Sequence, residues 1–236
     1  MNETMTKSKT DSKVNSSPRY LQTLVRSRII PYYQDDRCTI YHGDCLEILE
    51  SIAPVDVIIT DPPYNVGLEY DGYDDNRNDY HEWMETWFET SLKKSKLLVF
   101  TPGMKNLNFW MNKNPMWIMC WFKSNQCSPS PLGGFNVWEP ILLFGKTIKR
   151  IGQDGFSIPI AQQSDVGNHP CPKNIKAWKK LIELVSDENS IILDPFMGSG
   201  TTLLAAKSLG RRAIGIEQSE AYCKIAIQRL AQCELF

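Results

Sequence analysis

Residues 191–202 read Ile-Ile-Leu-Asp-Pro-Phe-Met-Gly-Ser-Gly-Thr-Thr. A short apolar run closed by turn residues is a strand buried on both faces, and from Thr201 the apolar spacing turns helical. Glycines between a strand and a helix let the backbone approach a ligand in front of the helix's free amides. The next apolar run, 213–216, stops at Glu217, where a carboxylate can take both hydroxyls of a ribose. A phosphate-binding loop fits poorly, because the stretch lacks the Gly-Lys-Ser/Thr ending that holds phosphates and magnesium. Strand, helix, strand and helix in this rhythm call for a parallel sheet with right-handed crossovers.

Upstream, Val57-Ile58-Ile59 runs into Thr60-Asp61-Pro62-Pro63-Tyr64-Asn65. A carboxylate, two prolines and an aromatic at the mouth of a buried strand form a rigid polar ledge, suited to a planar substrate that carries an amino group. Such a nitrogen is a weak nucleophile, since its lone pair is delocalised into the ring. Asp61 and the Pro62 carbonyl can accept its two hydrogens while Tyr64 stacks on the ring. No metal is required.

The rest of the chain supplies the frame. Residues 38–42 form a strand that Gly43-Asp44-Cys45 turns into a helix, and residues 66–80 form an acidic, aromatic, mobile loop over the ledge. Asp79 or Asn78 caps the next helix, in which Trp83, Met84, Trp87, Phe88 and Leu92 share a face and both tryptophans read as core. Strands follow at 97–100 and 116–122. A late antiparallel strand at 137–145 carries Pro140, which favours a bulge or an exposed edge. Periodicity fails over 146–172, which reads as an insert that touches the substrate. A helix at 173–185 leads back to the opening strand.

At 236 residues and 42% hydrophobic content, one domain over 19–236 is expected behind a disordered polar tail at 1–18. No apolar segment approaches the roughly 20 residues needed to cross a bilayer. Seven cysteines without a CxxC pair fit free thiols in a reducing cytoplasm better than disulfides or zinc. Net charge is −1, so no global field advertises nucleic acid. Lysines gather between 146 and 180, however, and Lys146, Lys149 and Arg150 are the candidate contacts to a phosphate backbone. Arg19, Arg26 and Arg28 form a second candidate, an arm toward DNA or a partner subunit.

These pieces resemble the DNA amino-methyltransferases that use S-adenosylmethionine, in the arrangement where the Asp-Pro-Pro-Tyr motif precedes the Phe-x-Gly-x-Gly motif. The matching segments are 43–45, 60–65, His169-Pro170, 194–202 and 210–217. The resemblance implies a Rossmann-like fold: a mostly parallel seven-stranded sheet with one late antiparallel strand and helices on both faces. It implies catalytic roles for Asp61, Pro62, Pro63 and Tyr64. The cofactor would be held by Asp44, His169, Lys173, Asp194, Phe196, Gly198, Ser199, Gly200, Thr201 and Glu217. Cys171-Pro172 departs from the Thr-Gln-Lys-Pro continuation of the family, which weakens the assignment of that turn.

The implied activity is methylation of adenine N6 in double-stranded DNA, with base flipping, a place in restriction-modification, and a homodimer left open. Aspartate before Pro-Pro-Tyr goes mostly with adenine and serine with cytosine, so cytosine N4 stays as the alternative. An RNA methyltransferase and an inactive DNA-bound relative are further readings. A carbon-5 cytosine enzyme would need a cysteine where Asp61 stands. Pro170-Cys171 is only a superficial match, since it precedes the cofactor strand.

Overall fold

The computed structural model describes residues 29–70, 73–160 and 174–232. In chain order the elements are β1 (Tyr33–Gln34), β2 (Cys38–His42), α1 (Cys45–Ser51), β3 (Val55–Thr60), β4 (Glu69–Tyr70) and β5 (Tyr73–Asp74). Next come α2 (Tyr80–Lys94), β6 (Ser95–Phe100), α3 (Gly103–Met111), β7 (Trp117–Phe122), β8 (Trp138–Gly145) and β9 (Gly155–Ser157). The chain closes with α4 (Ile175–Val185), β10 (Ile191–Asp194), α5 (Thr201–Ser208), β11 (Arg212–Glu217) and α6 (Glu220–Gln232). The polar tail, Arg19, Arg26 and Arg28 lie outside the described residues, as do His169 and Lys173.

One sheet runs in the order β1-β2-β11-β10-β3-β6-β8-β7-β9, and β4 pairs with β5 alone. Its central strands are largely apolar because both faces are covered there. Val57 and Ile59 of β3 join Trp178, Leu181 and Leu203 under α4 and α5, with Ala226 of α6. Ile58 joins Leu49, Trp87 and Trp110 under α1, α2 and α3. Each fully buried isoleucine or leucine contributes about 1.5–3 kcal/mol.

The expected seven strands with one reversed are those from β2 to β7. The sheet is wider than that, because β1 and β9 extend its edges, and β1 is a second reversed strand. Reversed β8 lies between β6 and β7 and is not an edge. Pro140 is tolerated there without a bulge. It pairs with Cys120, whose N–H turns to the Asp154 carbonyl at 2.8 Å, and β6 has already ended, its last pair being Phe100 with Leu142. The amide hydrogen that proline lacks has no ladder partner at that point.

Neighbours β3 and β10 send the chain in opposite directions, β3 on to β6 and β10 on to β11. Crossovers that diverge leave a crevice beyond the carboxyl ends of the two strands. Both loops singled out in the sequence begin there. Asp79 makes no capping bond and pairs instead with Arg77 at 2.8 Å, whereas α4 is capped by Asn174, which accepts from the Lys176 N–H at 2.8 Å. No helix among the described residues is long and apolar enough to cross a membrane.

Candidate active site

The two loops are tied together at their roots. Thr60, the residue before Asp61, donates to Asp194 Oδ1 at 2.6 Å, and the Phe196 N–H reaches the same oxygen at 3.1 Å. Thr202 donates to Oδ2 at 2.5 Å and receives the Trp178 indole N–H at 2.8 Å. Asp194 is therefore a buried brace between β3, β10 and α5. Burial pushes its carboxyl up to about 6 against the pull of these three hydrogen bonds.

Glu217 does the same for the glycine loop. Its Oε2 accepts from the Gly198 N–H at 2.9 Å and its Oε1 from the Ser219 N–H at 2.7 Å. Burial raises it to about 6 as well, with the backbone hydrogen bonds opposing. Arg229 of α6 clasps the loop from behind, donating to the Ser199 carbonyl at 2.6 Å, the Ser199 hydroxyl at 2.9 Å and the Thr201 hydroxyl at 3.3 Å. Gly200 has φ +80, and a Cβ there would stand 2.8 Å from that of Ala226, so only glycine lets α6 pack this close.

The loop lines a cleft whose other walls are Asp44, Asp61, Tyr73, Trp83, Glu217 and Tyr222. Asp44 caps α1 through Oδ1, which accepts from the Leu46 and Glu47 N–H groups at 2.8 and 3.2 Å. Trp83 packs against the core as expected but also reaches the cleft. Trp87 is fully buried, but Trp83 stands at the cleft wall with its ring 5.7 Å from those of both Tyr73 and Phe196 and Arg77 4.7 Å above it.

On the other side of the cleft, Asp61 Oδ1 receives the hydroxyls of Tyr64 and Thr101. Tyr64 also reaches Thr101 at 3.0 Å and Glu139 Oε1 at 2.6 Å. Burial and these two carboxylates hold the phenol well above its usual range, so it stays protonated. One face of its ring lies against Gly103, where a Cβ would come within 3.0 Å of ring carbons. The carbonyls after Pro62 are occupied in turn: Pro63 by the Tyr80 hydroxyl at 2.8 Å, Tyr64 by Asn106 at 2.9 Å and Asn65 by Lys105 at 2.9 Å. Among the described residues no group donates to the Pro62 carbonyl. The acidic loop is stitched to the ledge by buried Asp75, which accepts from the N–H groups of Asn65, Val66 and Leu68.

Of the expected residues, Asp44, Asp61, Pro63, Asp194, Phe196, Gly198, Ser199, Thr201 and Glu217 line one crevice, while Pro62, Tyr64 and Gly200 belong to its two loops without lining it. The fold does not bring Lys146, Lys149 and Arg150 there. Lys146 follows reversed β8, and its N–H meets the Lys96 carbonyl near the start of β6, at the opposite rim of the sheet. Lys149 donates to the Glu183 carbonyl near the end of α4 at 2.8 Å, and Arg150 follows directly. A charge cluster in sequence does not reveal which end of a sheet it occupies, and the reversal of β8 carries this one away from the crevice. Thr101, Glu139, Lys105, Asn106 and Arg229 belong to the site without carrying any motif.

The crevice suits S-adenosylmethionine on its own chemistry. Two buried carboxylates, a glycine loop that no Cβ obstructs and an aromatic wall match a ribose, a zwitterionic amino-acid end beside a sulfonium, and a purine. A crystal structure of the M1.HpyAVI complex with that cofactor aligns over 82% of this chain and 98% of its own, at 26% identity and a TM-score of 0.61. Type II methyltransferase M.ScaI of Streptomyces caespitosus is 28% identical over 85% of this chain and 83% of its own length. DNA adenine methyltransferase YhdJ of Escherichia coli is 27% identical over 81% and 82%. The DNA methylase family matches residues 55–164 and 136–228, from the catalytic strand to the last helix. The chain belongs to that family and is an S-adenosylmethionine-dependent DNA amino-methyltransferase of the adenine-N6 or cytosine-N4 type.

Proposed function

We propose that the substrate is the N6 amino group of an adenine flipped out of duplex DNA, held by Asp61 and the Pro62 carbonyl. The observation that carries this is the pattern of carbonyls on the ledge. Those of Pro63, Tyr64 and Asn65 are taken by protein donors, and among the described residues nothing donates to the Pro62 carbonyl, next to Asp61. A carboxylate and a carbonyl side by side accept the two hydrogens of one amino group and stabilise the positive charge that grows on nitrogen. A base inside the duplex cannot reach the crevice, so it must leave the stack.

Glu217 would accept the ribose hydroxyls of S-adenosylmethionine, Asp44 its adenine amino group, and Phe196 would pack beside it. When bound, the cofactor supplies an electrophilic methyl group on a sulfonium sulfur. Adenine is favoured over cytosine by aspartate before Pro-Pro-Tyr, and YhdJ, which carries the adenine name, is among the relatives. The DNA-facing rim is the one that holds the carboxyl ends of β3 and β10. There the loop 123–137 stands, between β7 and β8.

Mass analysis of nucleosides from unmethylated DNA treated with the protein tests the base. N6-methyldeoxyadenosine is expected, and N4-methyldeoxycytidine alone would refute the adenine assignment.

A further inference from the structure

Two carboxylates on different strands converge on a single phenol. Asp61 follows β3, Thr101 follows β6, and Glu139 is the second residue of β8. Because β8 is reversed, its beginning lies at the rim where its parallel neighbours end. The Tyr64 hydroxyl has one hydrogen and three oxygen neighbours, Asp61 Oδ1, Thr101 Oγ1 and Glu139 Oε1. It can donate to one of them at a time. Glu139 is 5% exposed, and a buried carboxylate needs a counter-charge.

Lys123 supplies it. The Lys123 ammonium meets Glu139 Oε2, with side chains only 13% and 6% exposed, and sits 4.5 Å above the ring of Trp121. Sheet register explains the meeting. Trp121 pairs directly with Glu139, and Lys123, two residues on, emerges on the same face.

We infer that Glu139, charge-balanced by Lys123, is a positioning residue for methyl transfer, which draws on the Tyr64 hydroxyl and so sets the orientation of Asp61 toward the substrate amino group. A second acceptor keeps the phenol from committing its hydrogen wholly to Asp61. That leaves Asp61 more of its negative charge to offer the amino group as the methyl arrives. Lys123 balances the charge of Glu139 from its other carboxylate oxygen, which leaves Oε1 to the Tyr64 hydroxyl. Neither Glu139 nor Lys123 is among the described residues that line the cofactor cleft. The inference rests on Asp61 being the group that holds the amino group.

The test is single-turnover transfer of labelled methyl from S-adenosylmethionine to unmethylated duplex DNA, with cofactor affinity measured alongside. Glu139→Gln should slow transfer about ten- to a hundredfold, the range of one charge-assisted hydrogen bond, with cofactor affinity held within about twofold. Lys123→Met should slow it in the same direction. In a Tyr64→Phe background, Glu139→Gln should add nothing further, because its effect passes through the missing hydroxyl. Full activity of Glu139→Gln or Lys123→Met overturns the inference, as does an equal additional loss in the Tyr64→Phe background. Loss of cofactor affinity in Glu139→Gln would make the residue a support of the fold and also overturn it. Asp61→Ala run beside these separates the failures: an active Asp61→Ala rejects the site assignment itself, whereas an inactive one with normal Glu139→Gln rejects only the role of Glu139.

Discussion

Asp61→Ala is expected to lower methyl transfer about 10²- to 10³-fold while changing S-adenosylmethionine affinity less than about threefold. The magnitude is that of removing one preorganised group from a site where charge develops in the transition state. Asp61 accepts the hydroxyls of Tyr64 and Thr101, so alanine also frees the phenol to turn wholly toward Glu139. The cofactor loop should be spared, because its brace is Asp194, which Thr60, Thr202 and the Phe196 N–H hold without help from Asp61. Single-turnover rates and equilibrium titration of the cofactor check the two halves separately. Parallel loss of both would mean that the ledge serves only to build the crevice.

Glu217→Gln is expected to raise the dissociation constant of S-adenosylmethionine about ten- to a hundredfold and to flatten the pH dependence of the stability of the cofactor-free protein. Both follow from one carboxyl that burial has lifted to about 6. Because the folded value exceeds the unfolded one, its contribution to stability is fully present below about 4.3 and is lost as pH rises through about 6. At neutral pH it is ionised and costs the empty protein about 2 kcal/mol, at about 1.4 kcal/mol for each pH unit. That ionised form is the one able to accept two ribose hydroxyls. Affinity in the native protein should therefore weaken as pH falls through about 6, approaching tenfold per unit, while the stability of the empty protein rises. Glutamine should flatten the Glu217 part of both trends. Calorimetric titration and thermal melts between pH 5 and 8 check them, and cofactor affinity independent of pH in this window would remove Glu217 from the binding account.

Most of the frame and both loops were legible in sequence because each is written locally. Ile191–Asp194 is an apolar run that ends on aspartate, and Val55–Thr60, apolar but for Asp56 and its closing threonine, runs straight into Asp61; the residues after both have few conformational choices. What escaped depends on pairing between distant strands. Glu139 reads as one charge in an apolar strand until the reversal of β8 brings it to the Tyr64 hydroxyl across 75 positions of sequence. Trp83 and Trp87 share one helix face and one residue type, yet a single turn separates a cleft wall from a buried core. Lys146 and Lys149 stand at the other rim for the converse reason, since charge clustering is visible in sequence and the rim it occupies is not. The edge strands β1 and β9, of two and three residues, are too short to leave a period.

The ledge at Asp61 and the glycine loop after Asp194 are proposed to form one site, with the methyl group delivered from one to the other. A crystal structure of the protein with S-adenosylmethionine tests it most directly. The ribose hydroxyls should lie on Glu217, with the methyl group directed at the space before Asp61 and the Pro62 carbonyl. A cofactor bound away from Glu217, or one whose methyl group faces away from Asp61, would contradict it.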